Sequence, residues 1–203
     1  MKTIWTSTLL VVAFGAVTVY AAASGKSIDL GDPIPKVDVE MKNVDGRMLS
    51  INDVKGEKGT LVIFSCNHCP FVKAWQDRIV ELGNTYSQKD IGVILINSND
   101  PQRYPSDDFS HMKKQAEREG YEFPYVVDAT SDVARAFGAS RTPEAFLFNA
   151  EQKLVYHGAI DDNVHKPEQV TQRYLRDALK AVVQGKQLPV KETRSVGCGI
   201  KFR

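Results

Sequence analysis

Cysteine is scarce in this 203-residue chain: only Cys66, Cys69 and Cys198 are present. An odd count cannot be fully paired within one chain, and a disulfide-stapled mini-scaffold has more bridges and a shorter sequence. These cysteines therefore read as chemical rather than architectural. No second cysteine pair accompanies Cys66 and Cys69, and His111, His157 and His165 lie far away in sequence, so a four-ligand zinc site lacks its donors. Pro70 follows Cys69 where haem attachment needs a histidine. Neither zinc nor haem is implied, and no cofactor is expected. Excess charge is also lacking: 26 basic against 25 acidic residues leave a net charge of +1, with no basic stripe. Nucleic acid is not an expected partner. Repeats and low-complexity tracts are absent.

Residues 1–23 have the pattern of a signal peptide: Lys2 is the positive start, Ile4 to Tyr20 is largely apolar, and Ala21-Ala22-Ala23 offers small residues to a peptidase. Thr6, Ser7, Thr8 and Thr18 dilute the apolar run, which favours cleavage over an anchor helix. The expectation is an exported, periplasmic or otherwise extracytoplasmic protein, touching a membrane only through this segment if it is uncleaved. Residues 24–203 then have the length of one domain.

The mature chain alternates strand and helix signals. Val37, Val39 and Met41 alternate into the turn Asn43 to Arg47, and Met48 to Ile51 return, predicting an N-terminal hairpin. Thr60 to Phe64 and Ile91 to Ile96 are short apolar runs expected of strands buried on both faces. Between them Phe71, Ala74, Trp75, Ile79, Leu82 and Tyr86 recur at helical spacing. Ser106-Asp107-Asp108 supplies helix-starting chemistry before His111 to Arg118, and Gly120 is a stop. Tyr125 to Val127, a short helix from Asp132 to Phe137, a hairpin over Ala145 to Phe148 and Leu154 to His157, and a helix from Pro167 to Val183 complete the order. The tail after Gly185 shows no period. The expected class is α/β, a mixed central sheet flanked by helices on both faces.

The chemistry concentrates at the end of the Thr60–Phe64 strand. Two cysteines two residues apart can close a small disulfide ring, and a helix N-terminus beside them favours a thiolate. The dipole supplies only about 0.3–1 kcal/mol, whereas lowering a thiol from about 8.5 to about 6.5 takes roughly 2.7 kcal/mol. Hydrogen bonds to sulfur and a nearby cation are therefore required, and His68 is the expected cation, with Asn67 beside it tuning the couple. Cys66 is expected to attack and Cys69 to resolve a mixed disulfide with a protein thiol. Pro70 keeps the reverse open: if it is the first helical residue, Cys69 becomes the N-cap and the better thiolate. A non-enzymatic Cu(I)-binding module is a further alternative, since two soft thiolates suit that ion. Thr142-Pro143 precedes the last hairpin, and a cis bond there would offer the Thr142 backbone to an extended substrate.

The segment Cys66-Asn67-His68-Cys69-Pro70, the later Arg141-Thr142-Pro143-Glu144 and the run Gly158 to Asn163 resemble the thioredoxin superfamily. More narrowly, they resemble peroxiredoxin-like redoxins of the alkyl hydroperoxide reductase and thiol-specific antioxidant group, over about residues 28–184. The resemblance implies a thioredoxin-like fold, a redox disulfide between Cys66 and Cys69, and a cis Pro143. By likeness to thioredoxins Cys66 is the nucleophile; by likeness to peroxiredoxins Cys69 is peroxidatic, an antioxidant thiol peroxidase. Cys66 stands where a peroxiredoxin carries threonine or serine, and Ser65 replaces the usual tryptophan of thioredoxins. Cys198, between Gly197 and Gly199, is either a third redox thiol or a free one.

Overall fold

The computed structural model describes residues 27–203; the expected signal segment lies outside them. Strand β1 (Met41–Asn43) and β2 (Met48–Leu49) form the N-terminal hairpin, shorter than the alternation suggested because Lys36 turns the chain at positive φ before Val37. The short helix α1 (Ile51–Val54) follows, capped at Ser50 by a reciprocal pair of bonds with Asp53. Next come β3 (Gly59–Phe64), α2 (Pro70–Ser87), β4 (Ile91–Asn97), α3 (Phe109–Glu119), β5 (Tyr125–Val127) and α4 (Asp132–Phe137). The two-residue β6 (Arg141–Thr142), β7 (Glu144–Asn149), β8 (Leu154–Gly158), α5 (Tyr174–Val183) and β9 (Cys198–Gly199) close the order.

Seven strands make one mixed sheet in the order β2-β1-β5-β4-β3-β7-β8, parallel at β3–β4 and β4–β5 and antiparallel elsewhere. Successive residues of β3 serve opposite faces, as the period-two pleat requires. Leu61 and Ile63 join Trp75, Ile79 and Leu82 of α2, Met112 of α3 and Leu175 of α5. Val62 and Phe64 join Ile51 of α1 and Val133 and Phe137 of α4. On this second face Phe137 meets Phe64, Phe146 and Phe148 edge-on, with centroids 5.2–6.0 Å apart. Gly92 lets β4 pass under α1: a Cβ there would stand 1.9 Å from the Val54 carbonyl oxygen.

The C-terminal third departs from the periodic reading twice. The helix expected from Pro167 begins at Tyr174, because a 3-10 turn (Pro167–Gln169) and an extended link separate the proline from it. The aperiodic tail is ordered and runs along the molecule. His157 N–H donates to the Lys191 carbonyl and Thr193 N–H to the His157 carbonyl, each at 3.0 Å, so residues 191–193 lie along the outer edge of β8. The tail then reaches β6, which β9 pairs antiparallel with Thr142 opposite Cys198 and Arg141 opposite Gly199. Just beyond β9, Ile200 is buried in the same core cluster as Val133 and Phe137.

Candidate functional site

β3 delivers Cys66 to the carboxyl end of the sheet, and Cys69 is the N-cap of α2, with Pro70 at the first helical position. The proline lacks an N–H that would have no partner there anyway, which is why the helix starts at this residue. The Thr142-Pro143 bond is cis. It brings Thr142 over both sulfurs: Oγ1 lies 3.3 Å from Cys66 Sγ, and the Thr142 carbonyl oxygen 3.1 Å from Cys69 Sγ. Cys198 closes the group, its Sγ 2.8 Å from that of Cys69. Cys66 and Cys69 are fully buried, and Cys198 is partly exposed.

The sulfurs are polarised in opposite directions. Cys69 is pulled down to about 4, chiefly because Cys66 donates a hydrogen bond to it. Burial opposes this, but the Cys198 thiol and the backbone N–H groups of Val72 and Cys198 add to the effect. The Thr142 carbonyl opposes the charge, since it can accept only from a protonated Cys69. Cys66 is raised, first by its bond to Cys69, then by burial and by the negative Asp107. Cys198 is pushed up to about 11 by burial and by its bond to Cys69. These shifts favour charge on Cys69, at the N-terminus of an 18-residue helix, over charge on Cys66, the expected attacker.

His68, expected as the cation beside the sulfurs, turns its ring to Asp107. Its Nδ1 faces Asp107 Oδ2 at 2.5 Å, and its ring stacks on Tyr104 with centroids 4.0 Å apart. Asp107 also accepts from the backbone N–H groups of Asn67 and His68, at 2.7 and 3.0 Å, and from Asn99 Nδ2 at 2.8 Å. Asn67 pins the loop rather than facing sulfur: it donates to the Ser106 carbonyl at 2.7 Å and accepts from the Tyr125 hydroxyl at 3.0 Å. The loop between the cysteines is thus clamped by one buried carboxylate that sequence reading assigned to helix capping. Its neighbour Asp108 does that, accepting from His111 N–H at 2.9 Å.

Thr142, expected to offer its backbone to a substrate, is already paired with Cys198 of the chain's own tail. Glu144 anchors that tail. Its buried carboxylate accepts from Ser195 Oγ at 3.1 Å and His157 Nε2 at 2.7 Å through Oε1, and from the N–H groups of Ser140 and Arg141 through Oε2. Burial alone would raise Glu144, but these donors hold it below the usual carboxylate value. Glu144 was noted only as part of the Thr-Pro-Glu resemblance; nothing in its spacing pointed to Ser195.

Cys66, His68 and Asp107 form a group of potential metal ligands, with ligand atoms within 4.8 Å of one another. The Asp107 oxygens, however, are committed to the four donors just named. Asp161 is structural, accepting from Trp75 Nε1 at 2.8 Å and Arg78 Nη1 at 2.5 Å.

Comparison with known proteins agrees with this architecture. The fold is similar to that of an uncharacterized conserved protein from Geobacillus kaustophilus, with a TM-score of 0.80 and 41% identity, covering 86% of this chain and 93% of that one. Two proteins named Thiol-disulfide oxidoreductase ResA are also similar. The Geobacillus thermodenitrificans protein is 26% identical over 148 residues, 72% of this chain and 79% of that protein. The Halalkalibacterium halodurans protein is 23% identical over 119 residues, 59% of this chain but only 63% of that protein, less than two thirds of its length. The family model described as AhpC/TSA matches residues 30–157, more than half of the chain, and the chain therefore belongs to the AhpC/TSA family.

Proposed function

We propose that the protein is an exported thiol–disulfide oxidoreductase that cycles a Cys66–Cys69 disulfide against protein thiols. The observation that carries this reading is the grouping of the two sulfurs under the cis Thr142-Pro143 bond, with Thr142 Oγ1 3.3 Å from Cys66 Sγ and the Thr142 carbonyl 3.1 Å from Cys69 Sγ, in a setting that pulls Cys69 down and raises Cys66. A thiolate beside a protonated thiol is the reduced form of a couple that needs little rearrangement to close its ring. On this reading Cys69 holds the charge and Cys66 the proton, the reverse of the order expected from thioredoxins. Closing the disulfide removes two electrons and the Cys66 proton; the electrons pass to the disulfide of a protein substrate, which leaves as one thiol and one thiolate that takes its proton from water. The name carried by the Halalkalibacterium and Geobacillus thermodenitrificans relatives supports the same chemistry. Export rests on the signal-like residues 1–23.

The test is to equilibrate the chain in glutathione buffers of graded potential, trap it with acid and map its disulfides. A Cys66–Cys69 disulfide is expected, and exchange with a test protein should be lost in both Cys66→Ser and Cys69→Ser. A potential near about −270 mV would indicate a reductase and one near about −120 mV an oxidase. A chain that never forms the disulfide would remove the basis of the reading. One observation favours a second reading, thiol peroxidase: the acidic sulfur is Cys69, the position that matches a peroxidatic cysteine. Rapid peroxide consumption that survives Cys66→Ala would support it.

A further inference from the structure

The buried couple has an access problem, and the tail resolves it. Cys66 and Cys69 are both fully buried, so a protein substrate cannot bring its own sulfur to either without displacing chain. The expected docking edge at Thr142 is filled by β9. The filling is close: a Cβ on Gly197 would stand 2.2 Å from the Thr142 carbonyl oxygen, and Arg141 Nη1 holds the Gly197 carbonyl at 3.0 Å. The segment is fastened on both sides of Cys198, by Ser195 on Glu144 and by Lys201 N–H on Asn99 Oδ1 at 2.8 Å. This segment therefore holds a sulfur where an extended substrate would hold its own: opposite Thr142, 2.8 Å from Cys69, and partly open to solvent.

Resting on the oxidoreductase reading above, we propose that Cys198 is the substrate-contacting thiol, and that a transient Cys69–Cys198 disulfide relays redox equivalents between the buried couple and protein dithiols. Cys69 lies within about 1 Å of bonding distance from Cys198, so the relay requires only a small approach of two sulfurs.

Starting from the Cys66–Cys69 disulfide, the Cys198 sulfur attacks Cys69 Sγ. The Cys66–Cys69 bond breaks, and Cys66 takes the electron pair and the proton that Cys198 gives up. A thiolate of the substrate dithiol then attacks Cys198, and the Cys69–Cys198 bond breaks with its electron pair on Cys69. The substrate's second thiol attacks its first sulfur and releases Cys198 as a thiol. One substrate disulfide is formed, and Cys66 and Cys69 are reduced. Run in reverse, the same steps reduce a protein disulfide. Direction at the second step follows from chemistry: the sulfur most stable as an anion leaves faster, and the exposed sulfur is the one attacked. Cys69 is the former and Cys198 the latter.

The test uses the full chain in two variants. In Cys66→Ser, oxidation by glutathione disulfide should give a Cys69–Cys198 bond, or a glutathione adduct on Cys198 with none on Cys69, read by peptide mass mapping without reductant. An adduct on Cys69 with Cys198 free would overturn the relay. In Cys198→Ser, the Cys66–Cys69 disulfide should still form in the redox buffer, while exchange with a reduced test protein falls at least about tenfold. Full exchange by Cys198→Ser would overturn the relay and leave the oxidoreductase reading standing. Absence of exchange in the unaltered chain would overturn both.

Discussion

Replacing Asp107 by Asn removes the charge that helps hold Cys66 in its protonated form, and it takes the acceptor from the two groups on Oδ2, His68 Nδ1 and Asn99 Nδ2. Cys66 should become more acidic, and the chain should lose about 1–3 kcal/mol of stability. Thiol titration of the Cys69→Ser background and denaturant unfolding read the two effects separately; an unchanged Cys66 would count against the assigned role. The pH dependence of the reduced protein follows from Cys69. Its folded value of about 4 lies below the unfolded value of about 8.5, so its contribution is full above about 8.5 and is lost as pH falls through about 4. Cys66, raised, acts oppositely and withdraws stability as pH climbs past about 8.5. The difference in Tm between the reduced chain and Cys69→Ser should therefore widen from pH 5 to pH 8, and a flat difference would contradict the thiolate. The cysteine pair itself was legible in the sequence, as was Pro70 as a helix start. Asp107 was not, because two adjacent aspartates before a helix look alike until the fold sends one to the cap and the other into the loop.

At the scale of elements, the period-two and helical patterns located the strands of the central sheet and the helices α2, α3 and α4, because each buries a face and burial writes periodicity. The tail carries no such signature. It is held by the Thr193 and Ser195 side chains and the Lys201 and Arg203 N–H groups, each bonded to a different segment, and by a two-residue strand too short to show alternation. The start of α5 was missed for a related reason: Pro167 does open a helical turn, but a 3-10 one that does not continue. The β6–β9 ribbon gives a direct test. A methyl on Gly197 has no room beside the Thr142 carbonyl, so Gly197→Ala should part the two strands. Cys69 then loses the Cys198 hydrogen bonds that help acidify it, and its titration, followed by thiolate ultraviolet absorbance, should move upward. Unchanged titration would mean that the ribbon does not set the charge on sulfur.

For the whole molecule, the mixed sheet covered on both faces was readable because its inner strands are apolar along most of their length and alternate with amphipathic helices. What the sequence could not convey is how the last sixteen residues finish the object. Ile200 is buried in the second core, and Ile200→Ala should cost about 2–4 kcal/mol in denaturant unfolding, against near zero for a surface change. Residues 191–193 along β8 bear on solubility. At the opposite rim, β2 is only two residues long. A long, bare outer strand is a template on which a stranger's backbone can zip, and among the described residues this sheet presents none at either rim. Removing residues 188–203 would uncover the backbone of β8 and turn a self-contained molecule into one that sticks to its copies. Light scattering of the shortened chain would register this as growth in particle mass with concentration.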